Sequence, residues 1–143
     1  MVRFWDTSAV LPLLVDEPGT PIVRPLLQGD EGMAVWWGSR IECVSALARR
    51  QRERQLTLKA VRDAKRVLQA LAKAWSEIQP TETVRKRAER LLGVHVLRAA
   101  DALQLAAALL WCRDDPEGHE FVCLDSRLST AAAAEGFMVH SAR

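Results

Sequence analysis

Four acidic residues lie directly beside apolar sequence, where a negative charge is unfavourable. Asp6 follows the residues VRFW, and Asp125 follows FVCL. Glu42 and Asp101 are embedded in the stretches RIECVSAL and LRAADALQLAAAL. A carboxylate in such surroundings needs a partner, which can be a helix N-terminus or a cation. Taken one at a time, the four acids fit the first alternative, as N-caps or first-turn residues, with Glu42 closing a capping box with Ser39.

Taken together, the same acids favour the second alternative. Two carboxylates about 5 Å apart repel each other by roughly 3 kcal/mol at an effective dielectric constant near 20, so a cluster of four requires a cation or raised pKa values. Oxygen ligands select hard ions such as Mg²⁺ or Mn²⁺, which keep positions for water and a phosphate. This predicts metal-assisted hydrolysis of a phosphodiester by a metal-activated water that one acid orients or deprotonates.

The elements that would position these acids follow from hydrophobic periodicity and turn residues. Short apolar runs predict strands at 2–5, 33–37, 74–79, 121–124 and 137–140. Amphipathic or apolar stretches predict helices from about 7 to 15, then at 20–28, 39–54, 57–73, 80–92, 99–112 and 127–136. The alternation from end to end favours an α/β fold with a largely parallel sheet.

A parallel sheet would bring the acids to one edge. Asp6 and Asp125 are expected where strands end, and Glu42 and Asp101 in first helical turns. The carboxyl ends of parallel strands and the starts of the helices after them share one edge, where such folds place their sites. We therefore expect all four carboxylates to project into one crevice.

Composition limits the remaining possibilities. With 143 residues, 49% of them hydrophobic and 27% charged, the chain is expected to form a single globular domain over residues 1–143. It has no run of about 18 uncharged apolar residues, and charged residues begin at Arg3, so we expect no membrane span, no signal peptide and a cytoplasmic location. Three cysteines without a CxxC pair predict free buried thiols, with no disulfide and no zinc site.

The net charge of +2 conceals a strong segregation of charge. Residues 49–90 carry 13 Lys or Arg against 5 acids, so this segment has a net charge of +8 and the rest of the chain −6. Within it, Lys59, Arg62, Arg66 and Lys73 recur at helical spacing. Such a stripe is either a solvated helix face or a surface that attracts a phosphate backbone. The single basic residue predicted to contact substrate is Arg98, three residues before Asp101.

Four stretches of the chain, in order, resemble those of PIN-domain proteins of the VapC type, the ribonuclease toxins of bacterial toxin–antitoxin pairs. They are FWDTSAVLPLL, IECVSALAR, LLGVHVLRAADALQLAAAL and FVCLDSRLSTAAAAEGF. The resemblance implies a PIN-like three-layer α/β/α fold with a central sheet of four to five strands. It also implies an RNA substrate, a cognate antitoxin that can dock on the basic helical pair, and a homodimer.

For the site, the resemblance implies that Asp6 and Asp101 bind a metal directly, with Glu42 and Asp125 binding directly or through water. A hydroxyl of Thr7 or Ser8 would orient the first acid or a water. One departure is Gln104, where many relatives have His. We expect Gln104 to touch none of the four acids and to affect detail only.

The sequence therefore predicts an Mg²⁺-dependent endoribonuclease, with Mn²⁺ able to substitute, that belongs to a type II toxin–antitoxin system. The alternative is a non-catalytic PIN-fold domain that binds RNA or another partner. A response-regulator receiver also groups acids at strand ends, but it would need an adjacent acidic pair after the first strand and a late lysine, and the sequence has neither. For the pair Trp36 and Trp37, packing is favoured over base stacking.

Overall fold

The computed structural model describes residues 1–141 and confirms the predicted order of elements. Its strands are β1 (Phe4–Trp5), β2 (Ala34–Trp36), β3 (Ser76–Ile78), β4 (Glu120–Val122) and β5 (Met138–His140). Its helices are α1 (Thr7–Leu14), α2 (Thr20–Gln28), α3 (Ser39–Arg52), α4 (Leu58–Ala74), α5 (Glu82–Leu92), α6 (Ala99–Trp111) and α7 (Ser126–Glu135). The strands are shorter than the apolar runs that predict them.

The strands form one sheet in the order β3-β2-β1-β4-β5, and every neighbouring pair is parallel. The central strand β1 pairs through Phe4 with both Ala34 of β2 and Phe121 of β4. From β1 the chain builds β2 and β3 on one side, and it then returns to build β4 and β5 on the other. The strand order therefore reverses between β1 and β4, which is where parallel sheets open a crevice at their carboxyl edge.

Helices cover both faces of the sheet, because successive strand residues point to opposite sides. Phe4 and Phe121 face one hydrophobic cluster, which they share with residues of α5, α6 and α7. Trp5 and Val122 face the other cluster, which they share with residues of α1, α2, α3 and α4. The result is the predicted three-layer α/β/α arrangement, in which the middle of the apolar helix α6 is buried.

Several smaller predictions concern the core and the surface. All three cysteines are free and buried, as expected. Trp36 is buried, whereas Trp37 is 51% exposed and packs edge-on against it, so packing accounts for at least the first of the pair. Among residues 1–141, none of the helices has the length and apolar character required to cross a bilayer.

Candidate functional site

Each of the four acids lies at the start of a different helix. Asp6 directly follows β1 and is the N-cap of α1, where its side chain accepts a hydrogen bond from the backbone N–H of Ser8. Asp125 is the N-cap of α7. Glu42 lies in the first turn of α3, and Asp101 lies in the first turn of α6. The structure thus fulfils the capping roles of Asp6 and Asp125 and still leaves one carboxylate oxygen of each uncommitted.

The predicted capping box between Ser39 and Glu42 is wrong. Gly38 is the N-cap of α3, and Ser39 is already the first helical residue, so its hydroxyl is not placed to cap that helix end. A side chain at Gly38 would strike the indole of Trp36, which explains why the residue that caps α3 lacks one. Glu42 is therefore free to turn away from its own helix end and toward α1.

All four acids line one cavity of about 570 Å³ at the carboxyl edge of the sheet. Its wall also contains both hydroxyl residues that the sequence singled out, together with an apolar and basic rim: Thr7, Ser8, Leu11, Ile41, Ser45, Ala46 and Arg49. Side chains far apart in the sequence thus meet at the crevice between β1 and β4, as parallel topology requires.

The four carboxylates share one hydrogen-bonding pattern, in which all bonds go to one oxygen. Asp6 accepts only through Oδ2, Glu42 only through Oε1, Asp101 only through Oδ2, and Asp125 only through Oδ1. The second oxygen of each acid has no hydrogen-bond partner within residues 1–141. Four anchored carboxylates that each keep one oxygen for a ligand therefore border the same cavity.

Burial and mutual repulsion disfavour the charged forms of two of these acids. Burial, opposed by hydrogen bonds from Ser8 and reinforced by the charge of Glu42, raises the pKa of Asp6 to about 6. Burial also raises the pKa of Glu42, despite the hydrogen bonds from Thr7 and Gln104, and the charge of Asp101 adds to that rise. Asp6, Glu42 and Asp101 therefore interact electrostatically as one group, and a cation would relieve the strain.

The donor set fits a hard divalent cation. The four side chains offer only carboxylate oxygens, the ligands that Mg²⁺ and Mn²⁺ prefer, and each oxygen left without a hydrogen bond is available for coordination. Among residues 1–141, however, no group of three or more His, Cys, Asp or Glu side chains is placed so that it could hold a metal ion as the side chains stand. The arrangement is thus an open set of anchored acids.

The two hydroxyl residues at the start of α1 serve different acids. Ser8 donates its hydroxyl hydrogen to Oδ2 of Asp6 at 2.5 Å and accepts the backbone N–H of Leu124 at 2.9 Å. Thr7 donates to Oε1 of Glu42 at 2.9 Å. The sequence left open whether one of these hydroxyls orients the first acid. In the structure Ser8 does so, and Thr7 orients the second.

The expectation that Gln104 touches none of the acids is wrong. Its side-chain amide lies 3.3 Å from Oε1 of Glu42, 3.0 Å from Oγ1 of Thr7 and 2.9 Å from Oγ of Ser39. Its place one turn beyond Asp101 in α6 directs it behind the cavity, where α1, α3 and α6 meet. Sequence spacing shows that turn, but it does not show which elements pack against it.

Two arginines stand in different relations to the acids. Arg98 is the exposed N-cap residue of α6, and its backbone N–H donates to Oδ2 of Asp101 at 3.3 Å. Arg49 was noted in the sequence only as part of the basic segment, but it lines the cavity. Arg49 lies seven residues, or two helical turns, after Glu42 on α3. This spacing could have predicted from the sequence that the two side chains share one face of the helix. Arg49 makes no ion pair with any of the described residues.

The parallel sheet between two helical layers, with acids at its switch point, defines a PIN-like α/β/α protein. Solved structures of similar fold include a chain of a toxin–antitoxin complex from Klebsiella pneumoniae, with a TM-score of 0.62 and 16% identity over 87% of this chain and 88% of that one. PAE2754 from Pyrobaculum aerophilum aligns with a TM-score of 0.64 and 18% identity over 96% and 89% of the two chains.

Sequence comparison identifies the family more narrowly. The chain is 34% identical to ribonuclease VapC45 of one Mycobacterium tuberculosis strain and to ribonuclease VapC49 of another, over 98% of this chain and 95% of each relative. The chain therefore belongs to the VapC ribonuclease family, as its motifs predicted. No protein-family model matches it.

Proposed function

We propose that this protein is an Mg²⁺-dependent endoribonuclease, the toxin of a type II toxin–antitoxin pair. The observation that carries the proposal is the convergence of four carboxylates from four helix starts on one cavity, each with one oxygen free of hydrogen bonds. Relatives that align over nearly the full chain are named ribonucleases, and a structural neighbour is a toxin–antitoxin complex.

In this proposal, Asp6 and Asp101 hold the cation directly, and Glu42 and Asp125 hold it directly or through water. The bound Mg²⁺, for which Mn²⁺ can substitute, would neutralise the carboxylates, stabilise charge on the scissile phosphate and make a water more acidic. Ser8 keeps Asp6 oriented through the short hydrogen bond to Oδ2. Thr7 keeps Glu42 oriented through its hydrogen bond to Oε1.

Glu42 is the acid best suited to accept the proton of the attacking water. Burial raises its pKa, which makes it a stronger base than an exposed carboxylate. Its Oε2 has no hydrogen-bond partner in the described part of the chain, so this oxygen is free to receive the proton. Attack on the phosphorus and departure of the sugar oxygen would then cleave the RNA chain.

Basic side chains would bring the RNA to this acidic cavity. Arg49 on the cavity wall is placed to meet a phosphate beside the acids, and Arg98 at the start of α6 remains the contact that the sequence predicts. The segment 49–90, with a net charge of +8, would attract the RNA backbone or the antitoxin. A homodimer and a cytoplasmic location complete the proposal, both carried over from the sequence.

The test compares purified wild-type protein with Asp6→Asn and Asp101→Asn variants on an RNA transcript, with Mg²⁺ and with excess chelator. We expect cleavage only by the wild type and only with the metal, while both variants keep the wild-type circular dichroism spectrum. Glu82→Gln changes an exposed acid of α5 that does not line the cavity, and it serves as the active control. Cleavage that survives in both Asn variants would overturn the proposal.

The same protein preparations test the alternative of a non-catalytic RNA-binding or interaction domain. A divalent cation that binds only the folded state raises its unfolding temperature, so we expect Mn²⁺ to stabilise the wild type more than Asp101→Asn. RNA that is bound but never cut, with no effect of Mn²⁺ on unfolding, would instead favour the non-catalytic alternative. Sequencing of cellular RNA ends after expression of the wild type beside Asp101→Asn would identify the target.

A further inference from the structure

Gln104 is a buried amide at the junction of three helices that carry the candidate site. It lies in α6, is 1% exposed and directs its side-chain nitrogen at Ser39, Thr7 and Glu42. The three acceptor oxygens lie 2.9, 3.0 and 3.3 Å away, respectively. An amide NH₂ group has two hydrogens, and three acceptor oxygens surround it here, so both hydrogens have a partner. Gln104 therefore links α6 to both α1 and α3 directly behind the cavity.

The hydrogen bonds in this group form one consistent set when Glu42 accepts them. Thr7 has one hydroxyl hydrogen, which it donates to Oε1 of Glu42, so its oxygen must accept from Gln104. If the amide were reversed, its carbonyl oxygen would face the carboxylate of Glu42, and the two would repel. An ionised Glu42 favours this orientation of Gln104, and the amide in return anchors Oε1 of Glu42.

Both donors reach the same oxygen of the carboxylate. Thr7 and Gln104 converge on Oε1 of Glu42, and Oε2 has no hydrogen-bond partner in residues 1–141. Two donors at one oxygen restrict rotation of the carboxylate about its terminal bond. Oε2 is consequently held as the oxygen available to the cavity that Glu42 lines.

Packing alone does not explain this amide. Its carbonyl oxygen, Oε1 of Gln104, is the one buried side-chain polar atom in the described chain that has no hydrogen-bond partner. An unpaired buried acceptor is destabilising, and an apolar side chain of the same shape would avoid that penalty but would lose the three contacts of the nitrogen. The contacts of the amide nitrogen therefore come together with an energetic penalty at the amide oxygen.

We propose that Gln104 is a positioning residue of the acidic site, which orients Glu42 and Thr7 so that Oε2 of Glu42 is presented to a divalent cation or to the attacking water. The proposal rests on the proposed function. It predicts that loss of the amide impairs metal affinity and turnover without loss of folding. Substitution of groups that orient metal ligands costs about 10–100-fold in affinity or activity in other proteins.

The test uses Gln104→Met, which keeps the length of the side chain and removes both donors, and Leu105→Met as a matched control in the adjacent core position. We measure Mn²⁺ affinity of the full-length protein by calorimetry, kcat and KM on an RNA oligonucleotide, and thermal unfolding. For Gln104→Met we expect the Mn²⁺ Kd to rise and kcat to fall by about tenfold or more, with KM and unfolding temperature close to those of the wild type. Leu105→Met should leave Kd and kcat unchanged.

A double-mutant cycle shows whether Gln104 acts through Glu42. In the Glu42→Ala background, Gln104→Met should change Mn²⁺ affinity no further, because the carboxylate that it positions is gone. Equal losses in both backgrounds, or wild-type Mn²⁺ affinity and kcat in Gln104→Met, would overturn the proposal. So would a wild-type protein that binds no Mn²⁺.

The metal-binding arm also separates this proposal from the proposed function. If the wild type binds Mn²⁺ but cuts no RNA, the nuclease assignment fails. The effect of Gln104→Met on Mn²⁺ affinity still decides the role of Gln104 in that case. If the wild type cuts RNA and Gln104→Met does so equally well, only the positioning role fails.

Discussion

Ser8 and Asp6 form a two-point contact in which both the hydroxyl and the backbone N–H of Ser8 reach the same carboxylate oxygen. The distances to Oδ2 of Asp6 are 2.5 Å from the hydroxyl and 3.1 Å from the N–H. Both hydrogen bonds favour the charged form of a carboxylate that burial disfavours, and they oppose the rise in its pKa. Ser8 thus keeps a 5% exposed acid closer to the ionised state that a cation requires.

Replacement of Ser8 by Ala should raise the pKa of Asp6 above its wild-type value of about 6 in the metal-free protein. A hydrogen bond to a charged group contributes about 1.5–3 kcal/mol, so we expect an increase of about one pKa unit or more. Titration of the Asp6 carboxyl carbon by NMR measures it directly. The exposed Ser126→Ala is the control, and an Asp6 titration that is the same in both variants would contradict the assigned contact.

Mn²⁺ affinity should show the same dependence on pH. Protons compete with the cation for Asp6 below about pH 6, so affinity should fall as the pH is lowered from 7 to 5. In Ser8→Ala this fall should begin at higher pH. Calorimetry at several pH values tests the shift, and a fall in affinity over the same pH range in both proteins would argue against it.

Asp6→Asn should stabilise the metal-free protein at neutral pH. The pKa of Asp6 is raised in the folded state from 3.8 to about 6, so the folded protein binds more protons between these values. The stability that this provides is complete below about pH 3.8 and is lost as the pH rises through 6. At pH 7 the wild type retains a buried charge that Asn removes, and we expect a gain of roughly 1–3 kcal/mol.

Urea unfolding in the presence of chelator at pH 7 and at pH 3.5 measures this difference, which should shrink at the lower pH. Asp63→Asn is the control. A hydrogen bond from Lys59 lowers the pKa of the exposed Asp63, so this substitution should decrease the free energy of unfolding at pH 7, whereas Asp6→Asn should increase it. A destabilised Asp6→Asn protein at pH 7 would show that burial of the charge is not the dominant effect.

The arginines at the cavity and at the start of α6 should differ in their contribution to RNA binding. In the Asp101→Asn background, where RNA is expected to bind without being cut, Arg49→Ala should weaken binding by about 5–10-fold and reduce the salt dependence by about one phosphate contact. Arg98→Ala should weaken it less, because Arg98 does not line the cavity. Arg24→Ala, which changes an exposed arginine on α2 outside the segment 49–90, is the control. A larger loss of RNA binding in Arg98→Ala than in Arg49→Ala would show that Arg98, the residue that the sequence predicted, is the main substrate contact.

A buried charge cluster at the other end of β4 should contribute to stability above acidic pH. Glu120 contacts His140 and lies 3.2 Å from Nε of Arg3. Although burial raises the pKa of Glu120, the hydrogen bonds from His140 and Arg3 and the charge of Arg3 lower it overall. The charged Glu120 therefore stabilises the folded protein at pH values above the ordinary pKa of a glutamate, and this stabilisation is lost as the pH falls through the lowered pKa of Glu120.

Glu120→Gln should lower the free energy of unfolding by about 1–3 kcal/mol at pH 7, because it leaves Arg3 partly buried without its carboxylate. The difference from the wild type should narrow below about pH 4. Chemical unfolding at both pH values measures it. Glu82→Gln removes an exposed pair with Arg85 and should have little effect at either pH.

The sequence predicted the elements well because each is a contiguous run with its own period and its own end signals. The predicted helices at 57–73 and 80–92 differ from α4 and α5 only by one or two residues at their ends, where Thr57 and Thr81 are the N-caps and Gly93 is the C-cap of α5. The convergence of the acids was predictable as well, because parallel topology brings strand ends to one edge.

What the sequence did not predict depends on how helices pack against one another. The spacing of Gln104 from Asp101 is visible in the sequence, but its contact with Glu42 exists only because α1 and α3 approach α6 at that turn. Gly38, and not Ser39, is the N-cap of α3. Position 38 has no side chain because a Cβ atom there would meet the indole of Trp36. Tertiary packing decided both cases, and local propensity carries no information about it.

The four acids lie at positions 6, 42, 101 and 125 of 143 residues. Asp125 begins α7, and β5 is the last strand to join the sheet, beside β4. A chain whose synthesis stops before residue 125 lacks one of the four carboxylates, together with the strand that completes that edge of the sheet. If the proposed activity requires all four, a chain interrupted before that point would be inactive as a nuclease, and only chains that extend past Asp125 would need to be inhibited.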